Sequence, residues 1–373
     1  MISVFGCRTG QEEIELVTDV LKSQWLGLGK YVDMFEREFA ANRGLENFIM
    51  VDSGSNALFL AIKLLDLPAG SEIIIPSLTW VSCAQAILLA GHKPVFCDVE
   101  LDTSNTNADL IKKHITDRTG AVMVVHFAGK PVDMDPVLAL GYPVIEDAAH
   151  AVSSSYKGRA CGSMGDVAIF SFDAVKNLAT CEGGGVAMKN PELLARAKQL
   201  RYCGIGKSGF EAASSSTSGK SRWWEYNIIE PFIKMLPNNI MAAVALAQLR
   251  KINYLQGIRN HLNEYYVKEL GGIGDIALPP ECADHEEHSY FTFTIRTQKR
   301  DELARYLLDN GVYTTLRYHP LHMNELYESN AHLPNCEELN DTALSIPLHP
   351  NLSDADAAFV VAKIREFYGA QNG

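Results

Sequence analysis

The chain has no surplus of positive charge. It carries 33 Lys and Arg against 45 Asp and Glu, a net charge of −12 at pH 7. General nucleic-acid and anionic-membrane binders show a basic footprint, so both classes are disfavoured. An anionic small molecule is not, because a few local cations suffice for one. The eight cysteines (Cys7, Cys83, Cys97, Cys161, Cys181, Cys203, Cys282 and Cys336) stand singly, with no CxxC pair and no metal-ligand spacing. This speaks for reduced, mostly buried thiols and against a metal site. No apolar run approaches the ~20 residues needed to span a bilayer. The opening MISVFGCRTGQEE lacks a basic region followed by an apolar stretch, so no signal peptide is expected and a soluble cytoplasmic protein is. There is no internal repeat. No GxGxxG follows the early strand-like runs, which disfavours a NAD-binding enzyme.

What is present is an ordinary globular composition, 47% apolar and 21% charged, over 373 residues. At about 150 residues per domain this length predicts two domains. The first half alternates strand-like and helix-like segments. FIMVD (48–52), EIIIP (72–76), PVFCDVE (94–100), GAVMVVHFAG (120–129) and PVIEDA (143–148) read as strands. Leu58–Leu65, WVSCAQAILLAG (80–91), NADLIKKHI (107–115) and the DPVLALG segment read as helices between them. Such alternation predicts an α/β protein with a mostly parallel sheet covered on both faces. Ligands bind such sheets at the carboxyl ends of the strands.

The pattern then changes. VAIFSF (167–172) and GGGVAMKN (183–190) read as neighbouring strands joined by a loop that carries Lys176, followed by a helix over 193–201. Residues 204–222 are rich in Gly and Ser and read as a polar loop. Residues 239–270 read as one long helical stretch linking two domains, placed at 1–248 and 249–373. HSYFTFTIRT (288–297) alternates as a strand, and helices are expected over 300–311 and 354–368.

Lys176 has apolar flanks, with Ser and Gly around it, in AIFSFDAVKNLATCEGGGVAM. A lysine amine in such a setting can form a Schiff base with an aldehyde cofactor. Asp147 ends a strand in PVIEDAAHA. A helix N-cap and a carboxylate facing a pyridine nitrogen both suit that position, and spacing does not separate them. His150, three residues on, is placed to contact a ring oxygen, or is an ordinary half-buried histidine. SGSNAL (53–58) is a small-residue turn opening a helix. The free N–H groups around Gly54, Ser55 and Asn56 suit a phosphate, with Ser171 adding a hydroxyl. Trp80 is either core or a flat face for an aromatic ring.

The order of phosphate cradle, stacking aromatic, acid and lysine resembles the DegT/DnrJ/EryC1/StrS family, the sugar aminotransferases of fold type I that use pyridoxal 5′-phosphate (PLP). The resemblance runs through SQWLGLGKYVDMFEREFA, SGSNAL, IIIPSLTWVS, VVHFAGKPVDMD, VIEDAAHA, YKGRACGSMGDVAIFSF, CEGGGV, YHPLH and LSIPLHPNLSD, nearly the whole chain. It implies a large domain with a mostly parallel mixed sheet between helices and a smaller α+β C-terminal domain. It assigns Lys176 to the Schiff base, Asp147 to the pyridine nitrogen, Trp80 to ring stacking and His150 to the cofactor oxygen. Ser55, Asn56 and Ser171 match phosphate contacts. The resemblance also implies a homodimer with a shared active site, in which Lys234, and Asn227 nearby, reach the partner's phosphate.

By the same resemblance, L-glutamate donates the amino group and a keto or aldehyde sugar accepts it. The usual acceptor is a nucleotide-linked deoxysugar; a free keto-sugar acid or a cyclitol is the alternative. A related branch carries His in place of the lysine and dehydrates its sugar, and Lys176 argues against it. Another PLP enzyme of the same fold, or a binding protein that retains the cofactor site, are the remaining rivals. Lys220, Arg222, Trp223 and Trp224 in the polar loop are candidates for closing over an anionic, ring-bearing substrate. Arg201, Arg317, His319 and His322 are candidates for lining its cleft. Two departures from the family pattern, Cys203 and IKMLPNN (233–239), fall in this region and bear on which sugar is taken.

Overall fold

The computed structural model describes residues 1–206, 224 and 226–370. The chain opens with helices α1 (Gln11–Lys22) and α2 (Lys30–Arg43). It then alternates through β1 (Asn47–Val51), α3 (Gly54–Leu64), β2 (Glu72–Pro76), α4 (Ser82–Leu89), β3 (Lys93–Cys97), α5 (Ala108–Lys112), β4 (Thr119–Val125), α6 (Met134–Leu138) and β5 (Val144–Asp147). Two short strands, β6 (Ser155–Tyr156) and β7 (Arg159–Ala160), precede β8 (Val167–Ser171), β9 (Gly184–Met188) and α7 (Glu192–Arg201). The C-terminal part holds α8 (Asn239–Arg250), α9 (Ile252–Leu270), β10 (Glu286–Glu287), β11 (Phe293–Arg296), α10 (Arg300–Asp309), α11 (Pro334–Thr342), β12 (Ala343–Ile346) and α12 (Asp354–Ala370).

The main sheet runs in the order β1-β9-β8-β5-β4-β2-β3. β9 is antiparallel to both its neighbours, and every other pairing is parallel. This is the α/β fold with a mostly parallel mixed sheet that the alternation predicts. β1, β2 and β9 are buried along their whole length, as continuous apolar runs in a sheet covered on both sides must be. One face packs against α2 and α8 through five phenylalanines, with ring centroids 4.6 Å apart for Phe39–Phe48, 5.0 Å for Phe39–Phe170 and 5.2 Å for Phe35–Phe172. The other face packs against α3, α4 and α7. A third apolar cluster, drawn from residues between Leu262 and Tyr368, surrounds the two-stranded β11–β12 sheet. The first residues of the chain join it, since Ile2 bridges to Val312.

Three segments differ from the sequence expectation. The 239–270 stretch is two helices broken at Lys251 (φ −109°, ψ 16°), whose ammonium reaches Glu13 on α1 at 2.6 Å. The strand expected over 120–129 stops at Val125, because Nδ1 of the buried His126 accepts the Val132 N–H and the chain turns through Phe127–Gly129. The run expected as a strand over 288–297 pairs only from Phe293 onward. Its first half docks on the lysine loop and on the turn after β4 instead: Asn177 donates to the Ser289 carbonyl at 2.6 Å, and the Phe291 N–H donates to the Ala128 carbonyl at 2.8 Å.

Candidate active site

A cavity of about 390 Å³ opens at the carboxyl ends of β2, β4, β5 and β8. Asp147 is the last residue of β5, and Ser171 the last of β8. Both line the cavity, with Gly54, Ser55, Trp80, His150, Lys176, Arg317 and Tyr318 among the other wall residues.

The lysine loop joins two antiparallel strands and begins with a tight turn at Asp173–Lys176. The Val175 N–H donates to the Asp173 side chain at 3.0 Å, and the Lys176 N–H donates to the Asp173 carbonyl at 3.0 Å. The turn aims the Lys176 amine at the Phe291 ring, 4.6 Å from its centroid. Loss of water and the nearby Arg317 cation lower the pKa of this amine to about 8, against the opposing pull of Asp147 and Asp173.

Asp147 is fixed from two sides. Its Oδ1 accepts the Ala149 N–H at 2.9 Å, and its Oδ2 accepts from the Cys83 thiol at 3.2 Å. Burial raises its pKa, and these two bonds oppose the rise. Cys83 is itself a neutral donor, since burial and the Asp147 charge push its thiol well up. Behind Asp147, Glu146 accepts the N–H groups of Gly162 at 2.8 Å and Met164 at 2.6 Å. It also accepts Nε2–H of His126 at 3.0 Å; Nδ1 of that ring already accepts a backbone N–H, which fixes the tautomer. Glu146 thus anchors the end of β5 on which Asp147 stands.

His150 stacks on Phe291 with 4.0 Å between centroids, and its Nε2 lies 3.2 Å from the Tyr318 hydroxyl. Burial and the Lys176 and Arg317 cations hold its pKa well below the usual histidine value, so the ring is neutral at pH 7. Its Nδ1 is buried without a partner.

The start of α3 forms the cradle. Ser53 caps the helix, its hydroxyl accepting the Asn56 N–H at 3.2 Å. The Gly54 and Ser55 N–H groups begin the helix, where no intrahelical carbonyl is available to them. Hydroxyls of Ser55, Ser82 and Ser171 surround the spot, with Ser55 and Ser82 2.7 Å apart. A Cβ on Gly54 would sit 2.8 Å from Cβ of Ser171, so only glycine lets the helix start come this close to β8.

Pyridoxal phosphate fits this wall. It needs an anion cradle, a flat face, a carboxylate for its ring nitrogen, a partner for its phenolic oxygen and an amine. The α3 start, the 54%-exposed face of Trp80, Asp147, the partnerless Nδ1 of His150 and the Lys176 amine are the matching groups. When bound, the cofactor supplies an aldehyde carbon and an electron-withdrawing pyridinium ring.

Other sequence candidates lie elsewhere. Arg201 is buried and does not line the cavity; its Nη1 donates to Glu36 and to the Met50 carbonyl, tying α7 to α2 and β1. His322 is buried between Ser77, 2.7 Å from Nδ1, and Glu337, 3.3 Å from Nε2. His319 is exposed and pairs with Asn340 at 2.9 Å. Asn56 turns its amide onto Asp52 at 2.7 Å. Asn227 and Lys234 lie on the exposed surface of this chain. Lys220, Arg222 and Trp223 fall outside the described residues. Sequence reasoning missed Cys83, Phe291 and Tyr318. Cys83 is one helical turn past Trp80, which was a usable signal; Phe291 reads as an ordinary strand residue.

The sheet, the lysine on the β8–β9 loop and the acid at the end of β5 define a PLP-dependent aminotransferase of fold type I. The model of the DegT/DnrJ/EryC1/StrS aminotransferase family matches residues 8–365, and the chain belongs to that family. It is 36% identical over 375 residues to the dTDP-4-dehydro-2,3,6-trideoxy-D-glucose 4-aminotransferase of Saccharopolyspora spinosa, covering 98% of this chain and 96% of that one. Its structure is similar to that of the aminotransferase TlmJ from Streptoalloteichus hindustanus, with a TM-score of 0.93, 36% identity and 100% of both chains covered. It is also similar to Spr1654 from Streptococcus pneumoniae at 25% identity over 98% of each chain, with TM-scores of 0.91 for the PMP form and 0.89 for the PLP form.

Proposed function

We propose that this chain moves the amino group of L-glutamate to the ketone of a nucleotide-linked deoxysugar, as a cytoplasmic homodimer serving amino-sugar biosynthesis. The carrying observation is the Lys176 amine, lowered to a pKa of about 8 inside a cavity that also holds Asp147. An amine near that value is both a nucleophile and a base at working pH. Lys176 would hold the cofactor through its amine, and that amine would serve as the base that moves the donor's α-proton. Asp147 would face the ring nitrogen, Trp80 the ring plane and His150 the phenolic oxygen. The same residues would serve the half of the reaction that takes the ketone.

The name of the S. spinosa relative, a dTDP-keto-deoxysugar 4-aminotransferase, supports the nucleotide-linked acceptor. The run of exposed apolar side chains Tyr226, Ile228, Ile229 and Ile233, close together in the sequence, supports the dimer, since exposed apolar patches mark interaction sites. The test is product analysis. The loaded enzyme, given L-glutamate, is offered nucleotide-linked keto-deoxysugars, free keto-sugar acids and keto-cyclitols. An amine formed only on a nucleotide-linked sugar is the expected result. A dehydrated product without new nitrogen, or amination confined to the free acids or cyclitols, overturns it.

A further inference from the structure

His150 stands in the cavity wall at 4% exposure, and its ring is clamped. Phe291 stacks on one face with 4.0 Å between centroids, and Phe127 meets the ring edge-on at 6.1 Å. Ser289 Oγ donates to the His150 carbonyl at 2.6 Å and holds the backbone. Nε2 meets a residue of the C-terminal part, the Tyr318 hydroxyl, 3.2 Å away. Nδ1 is buried and has no partner. A neutral imidazole carries one proton, on either nitrogen, and the hydrogen bond made by one nitrogen sets the state of the other.

The surroundings of Tyr318 decide between the two forms. Burial pushes the phenol up, so Tyr318 keeps its proton at neutral pH. The Arg317 guanidinium lies beside the hydroxyl and can only donate. That cation draws the oxygen lone pairs toward itself and turns the O–H away. Among the described residues the acceptor within reach of this proton is Nε2 of His150. Tyr318 therefore donates to Nε2, and the single imidazole proton sits on Nδ1. The reverse arrangement, with Nε2–H donating to Tyr318, leaves the phenol proton with no acceptor among the described residues and a bare lone pair on the buried Nδ1. A doubly protonated ring is disfavoured in the same place, because burial and the Lys176 and Arg317 cations hold the His150 pKa well below the usual histidine value.

We propose that Tyr318 is a positioning residue that fixes the proton of His150 on Nδ1, and so makes the ring a hydrogen-bond donor to the phenolic oxygen of the cofactor. This rests on the placement of His150 at that oxygen given above, and adds which proton it carries and what puts it there. A phenolic oxygen that is ionised, or that shares its proton with a neighbouring nitrogen, is an acceptor. The Nδ1–H form bonds to it, whereas the other form turns one lone pair on another.

Two readouts test this, and neither needs turnover. The first is nitrogen NMR of cofactor-free protein with isotope-labelled histidines, in which the His150 signals are those missing from His150→Gln. Wild type is expected to show the Nδ1–H form, and Tyr318→Phe a mixture that contains Nε2–H. The second is the affinity of cofactor-free protein for pyridoxamine phosphate against its analogue lacking the phenolic oxygen. Wild type is expected to favour pyridoxamine phosphate. Tyr318→Phe is expected to lower that preference by about 3- to 10-fold, with affinity for the analogue nearly unchanged. His150→Gln brings an amide with its own N–H and no tautomer to set, so adding Tyr318→Phe to it should leave the preference where it was. An Nε2–H ring in wild type, or a ring that Tyr318→Phe does not alter, overturns the proposal. A preference that survives in Tyr318→Phe also overturns it, as does an equal loss of both ligands, which assigns Tyr318 to structure. A preference that Tyr318→Phe lowers equally in the His150→Gln background shows an effect that bypasses His150, with the same consequence. Wild type that binds both ligands equally fails the placement of His150, and the proposal with it. The aminotransferase reading fails separately, as a wild type that does not react with L-glutamate.

Discussion

One cavity shifts three titratable groups: the shifts on Lys176 and His150 favour the neutral forms that catalysis uses, while the Ala149 and Cys83 hydrogen bonds work against the rise on Asp147, whose charge is needed. Burial lowers Lys176 and His150 and raises Asp147, and the Arg317 cation reinforces the shifts on Lys176 and His150. The folded protein holds the Lys176 pKa near 8 against an ordinary 10.5. Below pH 8 the buried ammonium therefore costs stability, and the cost fades as pH rises from 8 to 10.5. Cofactor-free Lys176→Met should melt at a higher temperature than wild type at pH 7, and the gap should narrow across that window. The rate at which cofactor-free wild type takes up PLP should rise with a midpoint near pH 8; a midpoint near 10.5 would show an unshifted amine. Arg201 makes a different prediction. Arg201→Met strands the nearly buried Glu36 and should lower unfolding free energy by about 3–5 kcal/mol in a urea titration. Adding Glu36→Leu should recover part of the loss, and donor and acceptor KM should stay unchanged in a folded preparation. Lys176, Asp147 and Trp80, which line one cavity, were pointed to by the order of motifs that resembles the family; locally, Asp147 and Trp80 each kept two readings. The buried roles of Arg201 and His322 were not legible, because burial depends on distant partners: Glu36 lies 165 positions away, and Ser77 lies 245 away.

At the scale of elements, the start of α3 and the turn between β8 and β9 meet at very close range. Cβ atoms built on Gly54 and Gly184 would fall 2.8 Å from Ser171 and 2.4 Å from the Ser53 carbonyl. Gly54→Ala must push the helix start off β8. It should weaken cofactor binding at least tenfold in a fluorescence titration while costing the cofactor-free fold about 1–3 kcal/mol. Unchanged cofactor affinity would remove the α3 start from the phosphate site. The strands were readable because a strand buried on both faces must be a continuous apolar run; the small-residue turn was readable as a helix start, while its phosphate role came from the resemblance, since Ser and Asn cap helices routinely. The break at Lys251 was not readable. Residues on both sides favour a helix, and Lys251 at the break pairs with Glu13, far away in the sequence. Residues 288–292 alternate as a strand should, yet their polar atoms bond to Asn177 and to the turn after β4. That docking brings Phe291 under Lys176, His150 and Arg317, and no local pattern announces it.

For the whole molecule, strand–helix alternation was enough to predict a mostly parallel α/β sheet and a ligand at its carboxyl edge, and the cavity lies there. Assembly is the next level. If the exposed apolar residues near 226–233 form the dimer face, the double variant Ile228→Asp, Ile233→Asp should sediment as a monomer and retain cofactor poorly. Dimeric behaviour with full cofactor retention would place the interface elsewhere. The central claim, however, is the amine-bearing lysine and its reaction with a donor. The most direct measurement is the absorption spectrum of PLP-loaded protein before and after L-glutamate, with no acceptor present, in wild type and Lys176→Ala. The expected result is a yellow wild type that bleaches on adding glutamate, and a Lys176→Ala protein that binds pyridoxamine phosphate but does not turn over. A wild type that stays colourless after incubation with PLP, or a Lys176→Ala variant with full turnover, would contradict the account.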